Sequence, residues 1–227
     1  FIKPSSTSLS KGVLCYIIKA QDVLNISNNS IEEYYTELKN ALVKPYKPYE
    51  DIGEFIAGER VQLNTSVIQL ENEYYSTIRP KRTCHSGERP LNILLSDGIE
   101  YLELRCVDLD PFNPIGIDRN QIDFLDIFLL FCLTKESPPL SKKETQYLKE
   151  NHKRVVSFGR KPDLIVYFEQ NETTVRGLTN RLLQEMYEIA EEADNSLFKN
   201  KNNFWKESLQ KQKEKIENLN LSPVSYT

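Results

Sequence analysis

From Gly98 to Asp110 the chain reads Gly-Ile-Glu-Tyr-Leu-Glu-Leu-Arg-Cys-Val-Asp-Leu-Asp, and its side chains alternate with the period of two that predicts a strand. Tyr101, Glu103 and Arg105 fall on one face, and Leu102, Leu104 and Cys106 on the other, the side a sheet turns toward a core. Val61 to Leu70 alternates in the same way and predicts a second strand. Val61, Leu63 and Val67 oppose Gln62, Asn64 and Ser66, and the slip at Val67-Ile68 predicts a bulge or bend.

Elsewhere the period is helical. Ser30-Ile-Glu-Glu33 has capping-box spacing ahead of a stripe made by Ile31, Tyr35, Leu38 and Leu42. Pro45 and Pro48 end that helix, and a short acidic helical turn follows over residues 49–55. Asp118 to Gln121 opens a helix through Thr134. Its face of Ile122, Leu125, Leu129 and Cys132 is widened by Phe124, Phe128 and Phe131, which predicts burial on most sides. Ser141 and Glu144 cap a helix to about Lys153, and Leu164–Phe168 is a strand or extended core segment. Leu178, Leu182, Met186, Ile189 and Ala193 predict a long helix over residues 175–195. The lysine-rich tail from Asn202 to Leu219 carries a sparse stripe that predicts weak docking, and residues 1–29 read as loop around an apolar piece at Val13–Ile18.

Composition narrows the classes. A net charge of −4 over 227 residues argues against a nucleic-acid surface. The longest apolar run, Ile127 to Leu133, is far too short to span a membrane. Cys15, Cys84, Cys106 and Cys132 have no CxxC spacing, so reduced thiols in the cytoplasm are the simpler reading than a metal site or disulfides. No signal peptide is visible, and an opening of Phe-Ile-Lys-Pro without Met reads as a fragment of something longer.

The chemistry sits on the first strand. Glu103 and Arg105, two residues apart on one face, are separated by about 7 Å along the backbone. Such a pair can hold a divalent cation through the carboxylate and a phosphate through the guanidinium. A cross-strand ion pair on a solvated face is the alternative. Arg79, Lys81 and Arg82 form a second basic group, suited to phosphates or to a solvated turn.

Taken in order, Gln69-Leu-Glu-Asn-Glu-Tyr-Tyr75, Ile78-Arg-Pro-Lys-Arg82, Gly98-Ile-Glu-Tyr-Leu-Glu-Leu-Arg105 and Asp110-Pro-Phe-Asn-Pro-Ile-Gly116 closely resemble the C-terminal half of bacterial glutamate–cysteine ligase. The likeness is dense from Gln62 to Asp118 and continues to Gly159-Arg-Lys-Pro162. It implies an α+β fold, part of a curved antiparallel sheet like that of glutamine synthetase, with flanking helices and the N-terminal half absent. Residues 1–170 are then the C-terminal part of the catalytic domain and residues 171–227 a helical extension. The implied reaction joins the γ-carboxyl of L-glutamate to the amine of L-cysteine through an acyl phosphate made from ATP with Mg²⁺, the first step of glutathione biosynthesis.

By the same resemblance Glu103 corresponds to a magnesium-binding glutamate, and Arg105 to the arginine that meets the transferred phosphoryl group. Tyr75 and Tyr16 match tyrosines of the cysteine pocket, with core packing the other reading for Tyr16. Arg79, Lys81 and Arg82 lie in a well-matched stretch as possible phosphate ligands.

Two features depart from the family. Ser10 stands where the family has an arginine that binds glutamate, and a hydroxyl cannot clamp a carboxylate as a guanidinium does. The N-terminal half, with its paired glutamates and much of the nucleotide site, is the expected missing partner. The fragment alone is therefore expected to be inactive. A non-catalytic remnant, or a related ligase with another amine acceptor, stays open beside the ligase reading.

Overall fold

A computed structural model describes residues 20–197 and 204–221. Tyr16, Ser10 and the apolar piece at Val13–Ile18 lie outside the described residues. The described residues form two units, one up to Val107 and one from Asp108 onward, each combining helices with small antiparallel sheets.

The first unit contains α1 (Ile31–Ala41), α2 (Lys47–Ile52), β1 (Phe55–Ile56), β2 (Glu59–Arg60), β3 (Ile78–Lys81), α3 (Pro90–Asp97) and β4 (Tyr101–Leu104). Ser30 caps α1 as its spacing predicts, the hydroxyl accepting from the Glu33 amide at 3.1 Å. The buried row of α1 is Tyr34, Leu38 and Ala41, so the predicted stripe is centred correctly only at Leu38, with Tyr35 and Leu42 half-buried against the same core. That row packs with Leu91 and Leu94 of α3 and with Val67 and Ile68. Tyr35 instead holds its hydroxyl at the surface, where Lys39 donates to it.

Residues 61–70 form no strand, contrary to their alternation. The amides expected on a wet sheet face take the backbone partners that a ladder needs. Gln69 Oε1 accepts from the Leu63 amide and Asn64 Oδ1 from the Ser66 amide, both at 2.8 Å. Gln62 Nε2 donates to the carbonyls of Tyr49 and Gly53, both at 2.7 Å. Val67 and Ile68, where the alternation slips, are the two residues of this stretch driven fully into the core.

The second unit contains α4 (Arg119–Thr134), α5 (Lys142–Phe158), β5 (Ile165–Phe168), β6 (Asn171–Thr174), α6 (Val175–Leu197) and α7 (Phe204–Glu217). Asp118 caps α4 by accepting from the Gln121 amide at 2.6 Å, and Ser141 with Glu144 completes a capping box on α5. α5 runs on past Lys153 to Phe158. α4 buries one face, Asp123, Ile127 and Phe131, and leaves Ile122, Cys132 and Leu133 exposed, so it is not surrounded.

Nor does the tail dock weakly. Leu209 of α7 enters a core with Ile127, Phe131, Leu183, Met186, Ala190 and Ala193, and the buried Asp194 of α6 accepts from the amides of Trp205 and Lys206. A carboxylate at a helix N-terminus satisfies donors that have no partner within the helix. β5 and β6 form a hairpin whose turn residues Glu169 and Gln170 have φ of 49° and 65°, the left-handed pair of a two-residue hairpin turn. Among the described residues no helix is long and apolar enough to cross a membrane.

Candidate active site

β3 and β4 pair antiparallel with Arg79 opposite Glu103 and Lys81 opposite Tyr101, which puts all four side chains on one face. The ladder runs past the strand end, because the Arg105 amide donates to the Thr77 carbonyl at 2.9 Å. Arg105 therefore stays on the same face as Glu103. The opposite face was expected to meet a core, yet Leu102 is 44% exposed and Cys106 is exposed. The charged face is the more buried one because its guanidinium groups have internal acceptors.

Glu103 sits between two arginines. Its Oε2 accepts from Arg79 Nε at 2.7 Å and lies 2.5 Å from Arg79 Nη2, while its Oε1 accepts from Arg105 Nη2 at 2.7 Å. The hydrogen bond from Arg105, ahead of those from Arg79, holds the Glu103 carboxyl below its ordinary range despite partial burial. The Arg105 guanidinium lies over the Tyr75 ring, 4.8 Å from its centre. Its Nε is buried and, among the described residues, has no hydrogen-bond partner. Tyr75, Glu103 and Arg105 are thus brought together.

The three basic residues of Arg79-Pro-Lys-Arg82 separate into different positions. Arg79 is 5% exposed, and besides Glu103 its Nη1 donates to the carbonyls of Tyr74 and Asn72 at 2.7 and 3.3 Å. Arg82 Nη1 donates to the carbonyls of Asp97 and Gly98 at 2.7 and 3.3 Å, fastening the end of α3 to the ribbon. Lys81 has its nearest carboxylate oxygen, on Glu103, 4.0 Å away. Burial, followed by the Arg79 charge, pushes the Lys81 ammonium below its ordinary range. It lines a cavity of about 340 Å³ together with Tyr34, Arg79, Leu91, Leu94 and Tyr101. Burial pushes the Tyr34 phenol in that wall up to about 12, so it stays protonated at neutral pH.

Three cations around one carboxylate make a set that attracts anions. Among the described residues no three His, Cys, Asp or Glu side chains gather to hold a metal ion. Glu103 offers one oxygen donor pair, both members engaged by guanidinium groups, so the described residues do not form a magnesium shell on their own.

A scan against protein-family models matches residues 1–155 to glutamate–cysteine ligase. The chain belongs to the glutamate–cysteine ligase family. It is 39% identical to the glutamate–cysteine ligase of Alcanivorax borkumensis over 226 residues, covering 97% of this chain and 42% of that protein. The glutamate–cysteine ligase of Hahella chejuensis is 44% identical over 195 residues, or 84% of this chain and 37% of its own length. Among solved structures, Francisella tularensis glutamate–cysteine ligase in complex with AMP aligns with a TM-score of 0.83 at 31% identity. That match covers 91% of this chain and 41% of the Francisella chain, so this chain spans about two-fifths of its relatives' length.

The ligase resemblance did not single out Gln21. Its Nε2 donates to the Glu73 carbonyl at 2.7 Å, and its Oε1 accepts from the Tyr75 amide at 3.0 Å. Nothing in the local pattern around residue 21 signals a contact made across more than 50 positions. The acidic residues of the Gln69–Tyr75 ligase motif serve the backbone instead. Glu73 accepts from the amides of Gln69 and Leu70, and Glu71 from the amide of Leu91.

Proposed function

We propose that this chain is the C-terminal part of an ATP-dependent ligase that joins the γ-carboxyl of glutamate to the amine of cysteine. The observation that carries the reading is the guanidinium of Arg105, fixed by Glu103 and stacked over Tyr75, in a chain of the glutamate–cysteine ligase family. In the reaction a γ-carboxylate oxygen of glutamate attacks the γ-phosphorus of ATP and releases ADP. The cysteine amine then attacks the acyl phosphate carbonyl, loses a proton, and inorganic phosphate leaves with the original carboxylate oxygen.

Arg105 is assigned to the transferring phosphoryl group, whose charge its planar fork meets through two oxygens at once. Lys81 is the member of the basic group assigned to phosphate, since Arg79 and Arg82 donate to internal acceptors. Tyr75 is assigned to the cysteine side, one ring away from Arg105. Tyr16 remains the second candidate there. Magnesium bound with ATP would neutralise phosphate charge, and Glu103 is proposed as one of its oxygen ligands.

The AMP held by the Francisella relative supports nucleotide use. Residues 1–170 are proposed as the catalytic contribution to a curved sheet completed by the N-terminal half, with residues 171–227 as an extension. The proposed site residues all precede residue 110, and the family match ends at 155. The cytoplasm, where ATP and free cysteine meet, is the proposed compartment.

The full-length protein tests this reading. With ATP, Mg²⁺, glutamate and cysteine it should yield ADP, phosphate and γ-glutamylcysteine in equal amounts. Glu103→Gln should shift the Mg²⁺ concentration for half-maximal rate upward several-fold. Cysteine-independent phosphate release as the sole reaction would contradict it.

A further inference from the structure

We infer that Arg79 is a positioning residue that locks the two halves of the proposed site into one register, and that Gln21 is its counterpart on the cysteine side alone. The inference rests on the ligase reading above and names residues that reading leaves without a role.

The backbone from Asn72 to Tyr75 is gripped from two directions. Arg79 Nη1 takes the carbonyls of Asn72 and Tyr74 at 3.3 and 2.7 Å. Gln21 takes the Glu73 carbonyl at 2.7 Å and the Tyr75 amide at 3.0 Å. Three successive carbonyls and the following amide are thus fixed by side chains and not by a ladder, just where the strip delivers the Tyr75 ring. The backbone groups that a ladder would satisfy in a strand are satisfied here by two side chains.

Arg79 does more than Gln21, because its other nitrogens reach Glu103 Oε2 at 2.7 and 2.5 Å. One buried planar group therefore sets where Tyr75 lies and which oxygen Glu103 turns to Arg105. Each of its three guanidinium nitrogens meets an acceptor inside the chain and its side chain is 6% exposed, which suits it to positioning other groups. A guanidinium suits this task since its fork fixes several acceptors at defined angles, which an ammonium does not. Misplacing reacting groups by about 1 Å can cost on the order of 10²-fold in rate. Arg79 is thus a point at which one substitution reaches both the cysteine side and the phosphoryl side of the proposed site.

Gln21 separates the two effects. The experiment compares Arg79→Lys, Arg79→Gln and Gln21→Ala with wild type in the full-length protein, measuring kcat, the KM for cysteine, and thermal melting. Gln21→Ala should raise the cysteine KM roughly five- to tenfold with kcat within about twofold of wild type, since its bonds end on the Tyr75 strip. Arg79→Lys should raise the cysteine KM and also lower kcat by about tenfold or more. Arg79→Gln, which keeps a donor for the Tyr74 carbonyl but loses the pair with Glu103, should lower kcat more than it raises the cysteine KM.

A merely structural arginine would lower the melting temperature and leave the kinetics of the folded protein unchanged, and that result overturns the inference. So does failure of both Arg79 variants to fold, or an Arg79→Lys profile identical to that of Gln21→Ala. An inactive wild type would instead remove the ligase reading itself, which keeps the two failures apart.

Discussion

Arg79, Lys81 and Arg82 are equivalent in composition, yet Arg79 is enclosed, Arg82 ties down α3, and Lys81 faces a cavity. Their variants should therefore diverge. Lys81→Ala in the full-length protein should, on the proposed ligase reading, raise the KM for ATP by about tenfold with little change in melting temperature, because it removes a cation but no internal hydrogen bond. Arg82→Ala should do the reverse, leaving the ATP KM near wild type and lowering the melting temperature by a few degrees. Equal effects of the two on ATP would contradict the assignment. That Glu103 and Arg105 share a face was legible, since residues at i and i+2 on a strand do so, and the cross-strand ion pair kept open beside that reading is met by Arg79 opposite Glu103. The part played by Arg79 was not. It depends on register between β3 and β4 and on carbonyls five and seven residues back, neither of which is encoded in spacing.

Among the elements, helix starts were the most legible, because Ser30, Asp118 and Ser141 cap by local hydrogen bonds that need no tertiary partner. Which face a helix buries is less local. α1 and α4 each have apolar residues over a wide arc, and the partners they meet select the centre of it. Residues 61–70 mislead for a different reason, as side-chain amides satisfy the backbone where alternation suggests a ladder. α7 was underestimated because few apolar residues were expected to carry its docking, whereas Leu209 is 2% exposed in a closed core. Leu209→Ala should therefore destabilise the chain by roughly 2–5 kcal/mol in denaturant melts. Leu133→Ala, at an exposed site on α4, should change stability by less than about 0.5 kcal/mol. A small effect of Leu209→Ala would mean that α7 is not part of the core.

At the scale of the whole molecule, the chain spans about two-fifths of its relatives, and its first unit exposes Phe55, Ile56, Leu63, Leu70 and Leu102. On the proposed reading the missing half covers such residues, so the 227-residue chain by itself should scatter light as oligomers or aggregates at micromolar concentration. It should also release no cysteine-dependent phosphate, since one carboxylate cannot fill a magnesium shell. A clean monomer with ligase turnover would contradict both expectations. In the proposed reaction the β3–β4 ribbon meets the transferring phosphoryl group through Arg105. Arg105→Lys in the full-length protein keeps the charge and removes the planar fork. The kcat of this variant, measured beside its thermal melt, should fall by about 10²-fold or more in the folded protein, and an unchanged kcat would take Arg105 out of the phosphoryl site.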